Sequence, residues 1–332
     1  MFKKAAQQGR SERDAEAYSV RYVEASSDAR TKLAGFFNIL LTSPMTPAEA
    51  QAYCTALTKQ SGSNFYYSFF FLPQARREAM YTVYAFCREV DNAVDEAPAG
   101  SDPQQAIARW REELAAAYRG TPTHPVTISL AQQAKALAIP KEYFDELIAG
   151  MEMDLTTLRY KTFDDLSRYC YRAASVVGLI CLHVFGTRTE LARDYAINLG
   201  MAFQLTNILR DLGTDADRGR IYLPQDELER FGYREEEMLG KKYSPAFREL
   251  MRFQTDRAKS YYDKARQAIR QMPAADRRAL TPAEIMRGVY SRILDRIIAS
   301  DYQVFGPRIT VAPAHRLALA AGIWLRSRLP SA

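Results

Sequence analysis

Gln204-Leu-Thr-Asn207-Ile-Leu-Arg210-Asp211-Leu-Gly-Thr-Asp215 decides how the chain is read. Its apolar residues Leu205, Ile208, Leu209 and Leu212 recur at three- and four-residue steps, which predicts a helix. At about 100° per residue, Gln204, Asn207, Asp211 and Asp215 then share an arc of roughly 80°. One face carries two carboxylates and two carboxamides, and the remainder is apolar. A much earlier stretch, Arg88-Glu-Val-Asp91-Asn-Ala-Val-Asp95, repeats the i, i+4 carboxylate pair and places Arg88 one turn before Asp91.

Taken alone, Asp91 and Asp95 read as a solvated face, since like charges at that spacing mildly repel. Arg88 alone reads equally well as an i, i+3 partner of Asp91. The second pair at the same spacing, flanked by Gln204 and Asn207, changes the balance. Two acidic helices facing one another across a cleft form a cradle for Mg²⁺, which takes oxygen ligands, keeps several waters and bridges carboxylates to substrate phosphates. Arg218 and Arg220 follow Asp215 closely, and guanidinium groups bind phosphate oxygens bidentately.

The 332 residues, 47% hydrophobic, suffice for a sizeable core. The net charge of +6 is uneven: residues 251–332 hold 15 Lys plus Arg against 6 Asp plus Glu, a net +9, which leaves −3 for the remainder. A basic C-terminal third fits an anionic substrate or an anionic membrane surface. No zinc-finger spacing or RNA-binding aromatic signature supports a nucleic-acid partner. Four cysteines without a CxxC suggest reduced thiols and a cytoplasmic protein, and three scattered histidines argue against a zinc site. The N-terminus has basic residues but no apolar core behind them, so no targeting segment is expected. The apolar runs at 175–185 and 317–325 are far shorter than the ~20 residues that span a bilayer. The second could be an interfacial helix, but core packing is the simpler expectation.

Residues 1–60 are polar and Ala/Ser-rich apart from an apolar patch at Phe36–Leu41, and read as an extension, part helical and part disordered. The body, 61–332, begins at a turn near Ser61 and Asn64. Helices are expected over Gln74–Asp95, Pro103–Tyr118, Val126–Leu137, from Pro140 through Met151, Leu166–Phe185, Thr189–Asp215, Gln225–Arg230, Ser244–Gln271, Pro282–Ala299 and Pro313–Arg328. No period-2 strand pattern and no internal repeat interrupts them. An all-α, single-domain body follows. Within it, Tyr169-Cys-Tyr171 through Ala174, Ser175 and Gly178 thins one helix face, either for close packing or to leave room for a long apolar ligand beside a Tyr hydroxyl.

These features together resemble the squalene/phytoene synthase family, the head-to-head trans-prenyltransferases. The resemblance rests on Leu72-Pro73, Tyr84 through Glu96, Tyr169 through Gly178, Gln204 through Asp215, and Gly219-Arg220-Ile-Tyr222-Leu-Pro224. It runs from about Asn64 to about Arg296 and is nearest to the bacterial presqualene diphosphate synthases of hopanoid pathways. It implies an isoprenoid-synthase-type helical bundle with a central cavity, and two molecules of farnesyl diphosphate as substrate. Asp91, Asp95, Asn207, Asp211 and Asp215 would hold Mg²⁺, for which Mn²⁺ could substitute. Arg88, Gln204, Asn207, Arg218, Arg220, Tyr290 and Asn64 would contact substrate, and Tyr169 would assist ionisation and proton removal. Ser61-Gly62 departs from the His-Ser-like pair of many relatives.

The expected activity is Mg²⁺-dependent condensation of two farnesyl diphosphates to presqualene diphosphate, with release of diphosphate. The alternatives are a phytoene synthase acting on geranylgeranyl diphosphate and a squalene synthase that also consumes NADPH, a cofactor not expected here. A non-catalytic, membrane-associated helical scaffold is the remote alternative, and it leaves the paired aspartate motifs unexplained. Peripheral contact with the inner face of the membrane and with downstream isoprenoid enzymes belongs to the same expectation.

Overall fold

The computed structural model describes residues 45–61, 68–95 and 102–328. The chain divides into two compact units, Met1–Thr46 and Pro47–Ala332; the helices below all belong to the second. They are α1 (Pro47–Gln60), α2 (Gln74–Asp95), α3 (Pro103–Arg119), α4 (Pro125–Leu137) and α5 (Lys141–Thr156). Next come α6 (Phe163–Cys170), a π-helical turn (Tyr171–Ser175), α7 (Val176–Phe185) and α8 (Glu190–Asp217). The chain continues with α9 (Gln225–Arg230), α10 (Glu235–Leu239), α11 (Pro245–Gln271), α12 (Ala274–Ala279), α13 (Thr281–Ala299) and α14 (Pro313–Arg328). Among the described residues the β structure is one isolated bridge, Arg159 to Ile221.

Local chemistry sets the helix ends. Asp102 caps α3 by accepting from the Gln104 N–H at 2.9 Å, and Pro103 occupies the first turn. Gly120 closes the same helix at φ 86°, a left-handed conformation that glycine adopts without penalty. Thr162 and Asp165 form a capping box at the start of α6.

The core is continuous across the unit. Phe86 of α2 is fully buried, edge-on to Trp110 of α3 at 5.7 Å and to Phe144 of α5 at 5.1 Å. Truncating such a ring to Ala costs about 3–5 kcal/mol. The spine is α8, 28 residues long, which packs most extensively on α11 and also on α6, α7, the π turn and α13. At 1.5 Å per residue it is roughly 42 Å long. The approach to the π turn is close: a Cβ on Gly200 would lie 2.5 Å from the Ser175 Cα.

Besides the short α10 and α12, which the sequence reading does not include, three features differ from it. Pro47–Gln60, assigned there to the extension, packs against α2 and α4 and buries Ala50, Cys54 and Thr58. Its buried residues are small, so hydropathy does not announce them. The long helix expected over Leu166–Phe185 is interrupted by the π turn, where the Val176 N–H reaches the Tyr171 carbonyl five residues back. The terminal helix α14 lies on α13 by one side, with only Ala320 buried, and leaves Leu317 and Leu325 more than half exposed. The expectation of core packing there is met by one face alone. No helix among the described residues is long and apolar enough to cross a membrane.

Candidate active site

α2, α5, the π turn, α7, α8 and α13 enclose a cavity of about 320 Å³. Its walls are mostly apolar: Met80, Val83, Leu147, Val177, Leu199, Phe203 and Met286 contribute. Arg88 and Asp91 of α2 and Gln204 and Asn207 of α8 bring charge and carboxamides to the lining, each pair at the C-terminal end of its helix's lining stretch. The sequence placed all four on helix faces, and the structure brings them to one rim. Tyr290 of α13 also lines the cavity, its ring 4.5 Å from Phe203. Asn64 and the Asp95 side chain lie outside the described residues. The four cysteines are free thiols, and Cys87 and Cys181 line the cavity wall, where burial pushes both thiols up.

A chain of hydrogen bonds leads from the rim inward. Asn207 Nδ2 donates to Gln204 Oε1 at 3.4 Å, and Gln204 Nε2 donates to the Tyr169 hydroxyl at 3.4 Å. Tyr169 in turn donates to Asp154 Oδ2 at 3.1 Å, while Tyr222 donates to Asp154 Oδ1 at 2.7 Å. The Tyr169 and Tyr222 rings stack at 5.1 Å, and Tyr160 stacks on Tyr222 at 5.9 Å. Burial, followed by the neighbouring Asp154, holds the Tyr169 hydroxyl well above its usual range. Tyr169 is therefore a neutral donor, with its proton committed to a buried carboxylate. The small residues after it serve both purposes the sequence left open. Ala173, Ala174 and Gly178 line the cavity, while Ser175 packs under Gly200 and donates to the Ile197 carbonyl at 2.9 Å.

Asp211 and Asp215 continue the α8 face beyond Asn207. Asp211 accepts bidentate pairs from two arginines: Arg210 at 2.8 and 2.5 Å, and Arg308 at 2.9 and 2.8 Å. Burial alone would raise its pKa, but these two guanidinium groups hold the carboxyl below the usual range. Asp215 has the opposite fate. Burial and then the Asp211 charge push it up to about 7, and Arg220 and Arg218 only partly oppose them. The loop that carries these arginines is held in place: Arg159 Nη1 donates to the Gly219 carbonyl at 2.7 Å and its Nε to Glu235 at 2.7 Å. Arg220 itself donates to the Asp154 backbone carbonyl at 3.2 Å.

The same face offers oxygen donors to a divalent cation. Asn207 Oδ1 is buried with no hydrogen-bond partner among the described residues. Asp91 shares the cavity lining with Asn207, and Asp211 and Asp215 continue its helix face; all four offer oxygen, the donor type Mg²⁺ takes, so the residues fit in donor chemistry. Among the described residues no three His, Cys, Asp or Glu side chains form a cage by themselves. A cation here would draw on waters and on substrate oxygens as well.

Asp154 and Arg308 were missed in the sequence. Asp154 lies in Met151-Glu-Met-Asp154, where nothing distinguishes it from the neighbouring Glu152. Arg308 stands in an irregular segment 97 residues beyond Asp211, where no periodicity exists to pair them.

An all-α bundle whose mostly apolar cavity carries Arg88, Asp91, Gln204 and Asn207 in its lining has the make-up of a binding site for a ligand with an apolar part and a polar head. Comparison with known proteins narrows it. The profile of the squalene/phytoene synthase family matches residues 58–315. A phytoene synthase of Arthrospira platensis is 36% identical over 302 residues, covering 87% of this chain and 97% of that protein. A 15-cis-phytoene synthase of Synechocystis sp. is 36% identical over 293 residues, 85% of this chain and 86% of that protein. Among solved structures, squalene synthase HpnC from Alicyclobacillus acidocaldarius superposes with a TM-score of 0.71 at 30% identity, covering 78% of this chain and 97% of that one. A dehydrosqualene synthase in complex with ligand gives a TM-score of 0.73 at 27% identity, over 85% and 98% of the two chains. The chain belongs to the squalene/phytoene synthase family and is a prenyltransferase.

Proposed function

We propose that the protein condenses two farnesyl diphosphates head to head, giving presqualene diphosphate, diphosphate and a proton. The observation that carries this reading is the two-ended cavity, mostly apolar along its length and rimmed by Arg88, Asp91, Gln204 and Asn207. Such a cavity suits an apolar tail with a diphosphate head.

In this mechanism the rim binds the two diphosphates, with Arg88, Arg218 and Arg220 as charge-assisted donors. Mg²⁺ held by Asp91, Asp95, Asn207, Asp211 and Asp215 would supply the charge stabilisation that makes diphosphate a good leaving group. The C1–O bond of one substrate breaks, and the electron pair leaves with the diphosphate. The 2,3-double bond of the second substrate attacks the allylic cation at C1. A proton is then lost from that carbon as the cyclopropane closes. Tyr169, already donating to Asp154, is poorly suited to accept this proton, so the departing diphosphate is the base. Tyr169 and Gln204 orient the head instead, and the apolar walls exclude water that would trap the cation as an alcohol.

Incubation with Mg²⁺ and farnesyl diphosphate, with and without NADPH, tests the proposal by product identification. Presqualene diphosphate is expected whether or not NADPH is present. The absence of any product longer than fifteen carbons would reject it. Asp91→Asn and Asp211→Asn should each lower turnover by at least about a hundredfold while the protein stays folded. The phytoene synthases among the relatives favour a second reading, condensation of two geranylgeranyl diphosphates. A parallel incubation with that substrate decides between them.

A further inference from the structure

The cavity has a deep end, and it is not uniformly apolar. On α8 the wall descends from Asn207 and Gln204 through Phe203, Gly200, Leu199 and Ala196 to Tyr195. At 1.5 Å per residue, Tyr195 lies about 18 Å below Asn207 along the helix axis. The other walls agree on which end is deep. α2 climbs from Met80 to Asp91, and α7 descends from Val177 to Phe185. α13 enters through Pro282 and Ala283 at the level of Tyr195.

Tyr195 is 1% exposed. Its hydroxyl donates to Glu284 Oε1 at 2.8 Å, and Arg287 grips the same carboxylate through Nε at 2.9 Å and Nη2 at 2.7 Å. The three residues form a clamp from α8 to α13 under the apolar chamber. Filling the core does not require it, because a leucine or phenylalanine would pack there without the half-buried carboxylate of Glu284. The clamp adds stiffness. The ring cannot swing aside without leaving its buried hydroxyl short of a partner. An aliphatic floor, by contrast, could change rotamer and yield.

We propose that Tyr195, held by the Glu284–Arg287 pair, is the floor on which the prenyl tail ends, and that it limits the tail to three isoprene units. This rests on the reading of the cavity as a prenyl diphosphate site. One extended isoprene unit, four backbone carbons long, spans roughly 5 Å, a little less than the ~5.4 Å pitch of a helix. The wall from Asn207 to Tyr195 offers about 18 Å, little more than three turns. A fourth unit meets the ring.

The test compares unreactive S-thiolodiphosphate analogues of farnesyl and geranylgeranyl diphosphate, titrated with Mg²⁺ into the wild type, Tyr195→Ala and Tyr195→Phe. The wild type should bind the fifteen-carbon analogue more tightly. Tyr195→Ala should move the affinity ratio toward the twenty-carbon analogue by at least about tenfold, the scale on which apolar pockets discriminate chain length. Tyr195→Phe, which keeps the ring but releases it from Glu284, should move the ratio the same way by a smaller factor. If the Ala variant does not fold, Tyr195→Leu shortens the side chain while filling the core and carries the same readout. An unchanged ratio in a folded Ala or Leu variant overturns the floor, and a Phe variant identical to wild type overturns the clamp. Turnover is measured alongside. If the wild type condenses neither natural diphosphate, the reaction reading fails while the affinity ratio still judges the floor.

Discussion

Asp211 and Asp215 stand one turn apart on the same helix, yet they sit in opposite fields. Two guanidinium groups pair with Asp211 and hold it ionised, whereas burial and its neighbour's charge raise Asp215 to about 7. An unfolded aspartate titrates near 3.9, so the folded value is the higher one. Protonated Asp215 contributes stability that is present below about pH 4 and lost as the pH rises through about 7. Asp215→Asn, which mimics the protonated form, should therefore raise the melting temperature of the metal-free protein at pH 8 and change it little at pH 4. An equal shift at both values would show that charge is not the cause. The four polar positions from Gln204 to Asp215 were legible in the sequence because helical periodicity alone puts them on one face. Their opposite electrostatics were not, because Arg308 arrives from an irregular segment and Asp154 from another helix.

At the scale of elements, the close approach of α8 to the π turn shapes the upper wall of the cavity. Gly200 faces backbone atoms of Ala174 and Ser175, which cannot rotate away as a side-chain tip could. Gly200→Ala should cost about 1–3 kcal/mol of stability through overpacking, read by denaturant unfolding. A neutral result would mean that the two helices are free to part. The longer helices from Gln74–Asp95 to Pro313–Arg328 could be placed from the sequence because proline, glycine and apolar spacing mark their starts and stops. The π turn could not, since Tyr-Arg-Ala-Ala-Ser contains nothing that an ordinary helix would refuse. α10 and α12, of 5 and 6 residues, are too short for periodicity to reveal.

For the whole molecule, α1 completes the packing around α2 and α4. Gln51 is its polar link: Nε2 donates to the Glu78 carbonyl at 3.1 Å, and Oε1 accepts from Thr82 and Ser129 at 3.2 and 3.0 Å. A chain beginning at Ser61 should melt roughly 10 °C or more below one beginning at Thr46, the shift a few kcal/mol produces in a large domain. Equal melting temperatures would make α1 an appendage. The π turn also acts across the whole cavity. A helix advances about 100° per residue, and the extra residue in Tyr171–Ser175 sets α7 back by about one such step. In an unbroken helix Val177, Cys181 and Phe185 would be rotated by that amount away from Tyr169 and Ala173; with the inserted step all five fall within an arc of roughly 80°. The tyrosine that bonds Asp154 and the wall that lines the cavity are thus two helical registers joined by a phase slip, and losing any one residue between Tyr171 and Ser175 would leave the helix whole but its two halves facing different ways.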